Sequence, residues 1–114
     1  MLTEPIRIAI VEANQAFRSF YASRLEEESG GMLQVVLRCG NGAELLARLS
    51  GACPEIILMD PVLPVMDGIR TADIVRSLFP EISILAFQYS DAEAGDALLG
   101  RFGFSATLYK DQDI

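Results

Sequence analysis

Short apolar runs alternate with amphipathic stretches along the whole chain. Ile6-Arg7-Ile8-Ala9-Ile10-Val11 reads as a buried strand. Asn14 is placed to cap a following helix that carries Phe17, Phe20, Tyr21 and Leu25 at helical spacing. That stripe reads as core packing rather than as a cofactor box, and Gly30-Gly31 stops the helix. Residues 32–39 read as a second strand, after which Gly40-Asn41-Gly42 leads into a short helix with Leu45, Leu46 and Leu49. Residues 55–59 form the third predicted strand. Asp67 caps a third helix bearing Ile69, Ala72, Val75, Leu78 and Phe79, which Pro80 ends. Residues 82–87 are a fourth strand. Ser90-Asp91-Ala92-Glu93 has the form of a capping box and predicts the start of a fourth helix there. Gly95 and Gly100 fall within that helix or at its end, and an interior glycine costs about 1 kcal/mol relative to alanine, so this helix is expected to be the weakest. Residues 105–109 are the last strand.

Strand and helix alternating in this way predict an α/β fold, a doubly wound five-stranded parallel sheet with helices on both faces. In the strand order 2-1-3-4-5 the tips of strands one, three and five converge, and ligands of such sheets bind outside the carboxyl ends of the strands. Those tips carry Glu12, Asp60 and Lys110. Asp60 ends the apolar run Ile56-Ile57-Leu58-Met59 and opens the turn Asp60-Pro61-Val62-Leu63-Pro64-Val65-Met66-Asp67-Gly68. Taken alone, an Asp-Pro pair is most often just a turn. Two carboxylates and an ammonium at one crevice suit Mg²⁺ and a phosphoryl group, the acids holding the cation and the lysine neutralising phosphoryl oxygens.

Composition narrows the chemistry. The 114 residues, 51% of them apolar, suffice for one domain over residues 1–114 with a real core. A net charge of −7 argues against nucleic acid or anionic lipid binding through the bulk surface. Neither a membrane-length apolar stretch nor a secretory signal is present. Cys39 and Cys53 lack metal spacing, sit in or beside apolar segments and read as buried, reduced thiols of a cytoplasmic protein. The chain has no histidine, which removes the commonest general base and metal ligand, so any metal must be a hard cation held by oxygen.

Four elements carry a family resemblance: Ile8-Ala9-Ile10-Val11-Glu12 after strand one, Gly40-Asn41-Gly42-Ala43-Glu44-Leu45-Leu46 opening helix two, Asp60-x-x-Leu63-Pro64-x-x-Asp67-Gly68 after strand three, and Lys110-Asp111 after strand five. With them the chain resembles the receiver domain of two-component response regulators over residues 6–111. The Asn41-Gly42 pair and Asp after Lys110 are similar to the NarL/LuxR branch, whose members usually carry a helix-turn-helix domain and regulate transcription. The resemblance implies a flavodoxin-like sheet and a cytoplasmic signalling role rather than an enzyme. It implies that Asp60 takes a phosphoryl group from the phosphohistidine of a histidine kinase or phosphotransfer protein. It implies Mg²⁺ between Glu12, Asp60 and the backbone carbonyl of Val62, and Lys110 paired with Asp60 at rest and with the phosphoryl group afterwards. Homodimerisation through helix four and strand five is also implied, with no direct contact to nucleic acid or membrane.

Three positions depart from the family pattern. Ala13 stands where a second acid would bind Mg²⁺; Glu12 has the reach to bind directly, and Asn14 is a candidate for an amide oxygen. Ala86 replaces the hydroxyl that would contact a phosphoryl oxygen, and Thr107 replaces the aromatic ring that swings inward with it. Two readings follow: a phosphorylated receiver with atypical output, or a degenerate pseudo-receiver acting as a phosphorylation-independent interaction module. An enzyme or flavin protein on the same sheet is disfavoured. Val62 occupies the position of the second aspartate of dehalogenase-type phosphatases, and Glu12-Ala13-Asn14-Gln15 lacks the glycines of a phosphate cradle. Only Gln112-Asp113-Ile114 follow Asp111, so the family's last helix is missing or truncated, and an uncovered apolar strip is expected along strands three to five.

Overall fold

The computed structural model describes residues 4–92 and 94–112. β1 (Ile6–Val11), β2 (Leu33–Cys39), β3 (Ile56–Met59), β4 (Ser83–Gln88) and β5 (Ala106–Tyr109) form one parallel sheet in the order β2-β1-β3-β4-β5. The crossovers are α1 (Gln15–Glu28), α2 (Gly42–Ala52), α3 (Gly68–Leu78) and α4 (Asp96–Arg101). A continuous apolar run such as IILM in β3 is what a strand covered on both faces requires.

The helices begin where capping chemistry dictates. Asn14, Asn41 and Asp67 each hold an extended backbone, and their side-chain oxygens accept the N–H of Phe17, Glu44 and Arg70. α4 differs from expectation. It starts at Asp96 behind Gly95, which offers no side-chain cap, and Ser90 caps nothing. Instead the Ser90 hydroxyl and N–H both donate to the Asp111 carboxylate, at 2.5 and 3.1 Å. A charged acceptor with two oxygens outcompetes a helix start. Glu93, the other half of the expected box, lies outside the described residues.

Two apolar layers sandwich the sheet. Under α2, α3 and α4 lie Val11, Cys39, Leu45, Leu49, Ile57, Met59, Val75 and Ile84, among others. Under α1 lie Ile10, Tyr21, Ala22, Leu25, Leu58 and Phe87. Phe20 is a second correction: it is 58% exposed, because the α1 face turned to the sheet is that of Tyr21, Ala22 and Leu25. The uncovered strip is narrower than expected. Phe17 and Tyr21 stack over Phe87, with centroids at 5.7 and 4.5 Å, and Leu58 is buried beside it. What remains open lies on β4 and β5, at half-buried Leu85 and exposed Ala106 and Leu108.

Candidate functional site

Parallel pairing fixes the backbone of each of the three charged tip residues. Glu12 N–H donates to Cys39 O at 2.9 Å, Asp60 N–H to Val11 O at 3.1 Å, and Lys110 N–H to Gln88 O at 2.8 Å. The sheet order then brings the side chains together. Lys110 Nζ donates to Asp60 Oδ2 at 2.5 Å and makes an ion pair with Glu12 Oε1. The lysine and Glu12 side chains are only 5% and 6% exposed, and that of Asp60 17%. Glu12 Oε2 accepts the Asn14 N–H at 2.9 Å, and Asp60 Oδ1 accepts the Val62 N–H at 2.8 Å. The ammonium also faces the rings of Phe87 and Tyr89, with centroids at 5.4 and 5.3 Å. Burial on its own would lower the lysine's pKa. The hydrogen bonds and charges of Asp60 and Glu12 outweigh it and hold the group above its ordinary 10.5.

The loop after Asp60 is built tightly. Gly68 N–H donates to Pro61 O at 3.0 Å, and a Cβ on Gly68 would come within 2.2 Å of the Asp60 carbonyl oxygen. That approach explains the glycine of the Asp67-Gly68 pair. Met66 N–H donates to Pro64 O at 2.7 Å across Val65, whose φ of 68° is strained for a β-branched residue. Strain of this kind costs roughly 1–3 kcal/mol and clusters at functional loops.

The three departures also take their places, Ala13 being exposed beside Glu12. Ala86 is fully buried in the core layer, and Thr107 pairs beside it in register. Tyr109 does not turn toward the rim: its hydroxyl donates to Asp96 Oδ1 at 2.6 Å and ties β5 to α4, which with the aspartate's charge raises the phenol's pKa. Asn14 is corrected as a metal-ligand candidate, because its Oδ1 is spent on the α1 cap. Sequence reasoning missed the Ser90–Asp111 clamp and the aromatic wall around Lys110. The Asp directly after Lys110 was the only local sign of the first.

Among the described residues, no three Asp, Glu or Cys side chains gather as a metal cluster. Glu12 Oε1 is buried against the Lys110 ammonium. Two carboxylates that already share one ammonium suit a cation that keeps most of its own water.

The sheet order and the charged rim at its C-terminal edge are those of a doubly wound α/β domain. The family model of the response regulator receiver domain matches residues 8–114, and the chain belongs to that family. A protein-glutamate methylesterase/protein-glutamine glutaminase of Clostridium acetobutylicum is 33% identical over 84 residues, which cover 74% of this chain and 24% of that protein. The Regulator of RpoS of Escherichia coli K12 is 25% identical over 96% of this chain and 32% of its own length. The chain thus spans about a quarter to a third of these curated relatives, and only their receiver portion is matched. Among solved structures, the signal receiver domain of the response regulator NarL from Mycobacterium tuberculosis superposes with a TM-score of 0.82 at 27% identity, covering 96% of this chain and 87% of that one. A LuxR-family two-component response regulator from Aurantimonas sp. SI85-9A1 gives 0.82 at 25% identity, covering 96% and 77%.

Proposed function

We propose that Asp60 accepts a phosphoryl group from the phosphohistidine of a histidine kinase or phosphotransfer protein, as receiver domains generally do, and that residues 1–114 act as one cytoplasmic receiver domain. The observation that carries this reading is the Lys110 ammonium joined to both Asp60 and Glu12 at the C-terminal rim of the sheet. An Asp60 carboxylate oxygen attacks the phosphorus, a phosphorus–oxygen bond forms, and the donor's phosphorus–nitrogen bond breaks. Lys110 then shifts its hydrogen bond from the carboxylate to the incoming phosphoryl oxygens. Glu12, Asp60 and the Val62 carbonyl would hold Mg²⁺, which when bound supplies positive charge against the transferred group. Ala13 removes one carboxylate, so binding of the cation is weak.

Output is atypical. Ala86 cannot donate the hydrogen bond that would stabilise the phosphorylated state, a loss of about 1.5–3 kcal/mol confined to that state. Homodimerisation uses the face of α4 and β5, the dimer surface that the receiver resemblance implies, and Leu98 and Leu108 are exposed there. Incubation with acetyl phosphate and Mg²⁺, read by intact mass, is expected to add one phosphoryl group to the parent and none to Asp60→Asn. No adduct on the folded parent would end this reading. The pseudo-receiver alternative is favoured by Ala86 and Thr107, which leave the phosphoryl signal no hydroxyl and no ring to move.

A further inference from the structure

The mouth between α3 and α4 is basic on a chain that is acidic elsewhere. A cleft of about 440 Å³ opens there, and Arg70, Arg76 and Arg101 line it together with Ile69 and Phe102. These are three of the chain's nine basic residues, against two of its sixteen acidic ones, Asp67 and Asp73. Both acids are engaged. Asp67 Oδ1 accepts the Arg70 N–H at the start of α3, and Asp73 pairs with Arg76 at 3.0 Å. Among the described residues, the guanidinium groups of Arg70 and Arg101 have no ion-pair or hydrogen-bond partner.

Arg76 is fixed in place as well. It runs across Gly103, whose φ is 94°, and a Cβ there would come within 2.0 Å of the Arg76 Nε. The absence of that Cβ lets the α3 arginine lie flat against the turn into β5. The cleft thus has one braced arginine, two unpaired ones and an apolar floor, with Phe102 37% exposed. An aromatic anchor ringed by arginines is the composition of an energetically strong contact centre. Arginine's planar fork pairs bidentately with carboxylates.

We infer that this cleft docks an acidic peptide segment of a partner protein, one in which carboxylates flank an apolar or aromatic residue. The carboxylates pair with Arg70 and Arg101, and the apolar residue seats on Ile69 and Phe102. Charge complementarity selects this occupant. A long polyanion such as nucleic acid would feel the net −7 of the whole chain, whereas a short segment meets only the basic cleft. The proposal deepens the interaction-module reading and does not rest on phosphoryl chemistry at Asp60.

The test uses a short fluorescein-labelled peptide alternating Asp and Phe, with an Asn/Phe isostere and a labelled single-stranded oligonucleotide as comparisons. Binding is read by fluorescence polarisation and by backbone amide shifts. The Asp/Phe peptide is expected to bind more tightly than the other two and to shift amides around Arg70, Arg76 and Phe102. Raised salt should weaken it. Arg70→Gln and Arg101→Gln should each weaken it about tenfold, as expected for loss of one charge-assisted pair. Arg101→Lys should recover part of the loss, and Asp60→Asn should bind like the parent. Equal binding of the isostere, preference for the oligonucleotide, shifts confined to the α1 face, or parental affinity in the folded arginine double variant would each overturn the proposal. Loss of binding in Asp60→Asn would overturn its independence from the phosphoryl site, and failure of acetyl phosphate labelling would leave it standing.

Discussion

Lys110 stands between two carboxylates with almost no water around it, so its removal should act on stability as well as on signalling. Lys110→Met leaves Glu12 buried without its cation. Breaking a buried pair in this way costs about 3–5 kcal/mol, which urea unfolding would read as a lowered midpoint. Adding Glu12→Gln to that variant should cost less than the two single changes summed, since the second removes the charge that the first orphaned. At this scale the sequence was informative where a residue acts on its chain neighbours: Asn14 and Asp67 cap the helices they precede, while Asn41, also a cap, reads in the sequence only as part of a turn. It was uninformative where the partner is distant. Ser90 finds Asp111, and Tyr109 finds Asp96, across gaps that no local pattern encodes.

Among the elements, α4 has the least holding it. It has six residues, no side-chain cap at Gly95, and a tether from Tyr109 to Asp96. Tyr109→Phe removes that tether alone. Hydrogen exchange should then quicken across residues 98–101 while α1 and α3 are unchanged, and equal exchange in variant and parent would show that packing of Leu99 suffices. The weakness of this helix was readable from its glycines. Its starting point was not, because the capping pattern at Ser90 competed with a carboxylate brought in by β5. Helix-face assignment failed at Phe20 for a related reason: four apolar positions fit the helical period, but only part of that arc meets the sheet. The α3–α4 cleft was hidden because scattered arginines on separate helices read as ordinary solvated charge.

Taken whole, the molecule keeps its centre shut, and its two thiols report this. Cys39 lies in the core layer, and burial, with Glu44 nearby, pushes its pKa up to about 11. Cys53 corrects the expectation of two buried thiols: it is exposed, because it caps the C-terminal end of α2 rather than packing into the core. A disulfide-exchange reagent at neutral pH should therefore titrate one thiol in the native protein and two after denaturation. Two fast native thiols would mean that the sheet opens far more readily than its packing indicates. The parallel sheet was legible from the alternation of elements, whereas the order that brings Glu12, Asp60 and Lys110 together rested on the receiver resemblance, because alternation alone fits more than one doubly wound order. The width of the bare strip was not legible, because it depends on how aromatic rings of α1 spread over Phe87.

β5 is four residues long and outermost, paired within the sheet to β4 alone. The only lysine of the chain hangs from its end. Were this strand to peel away, two like charges would confront each other across the gap with nothing to separate them, and their repulsion would penalise the departure. The margin of the sheet is thereby latched by the same ammonium that serves the crevice, and whatever draws Lys110 outward also loosens the hem.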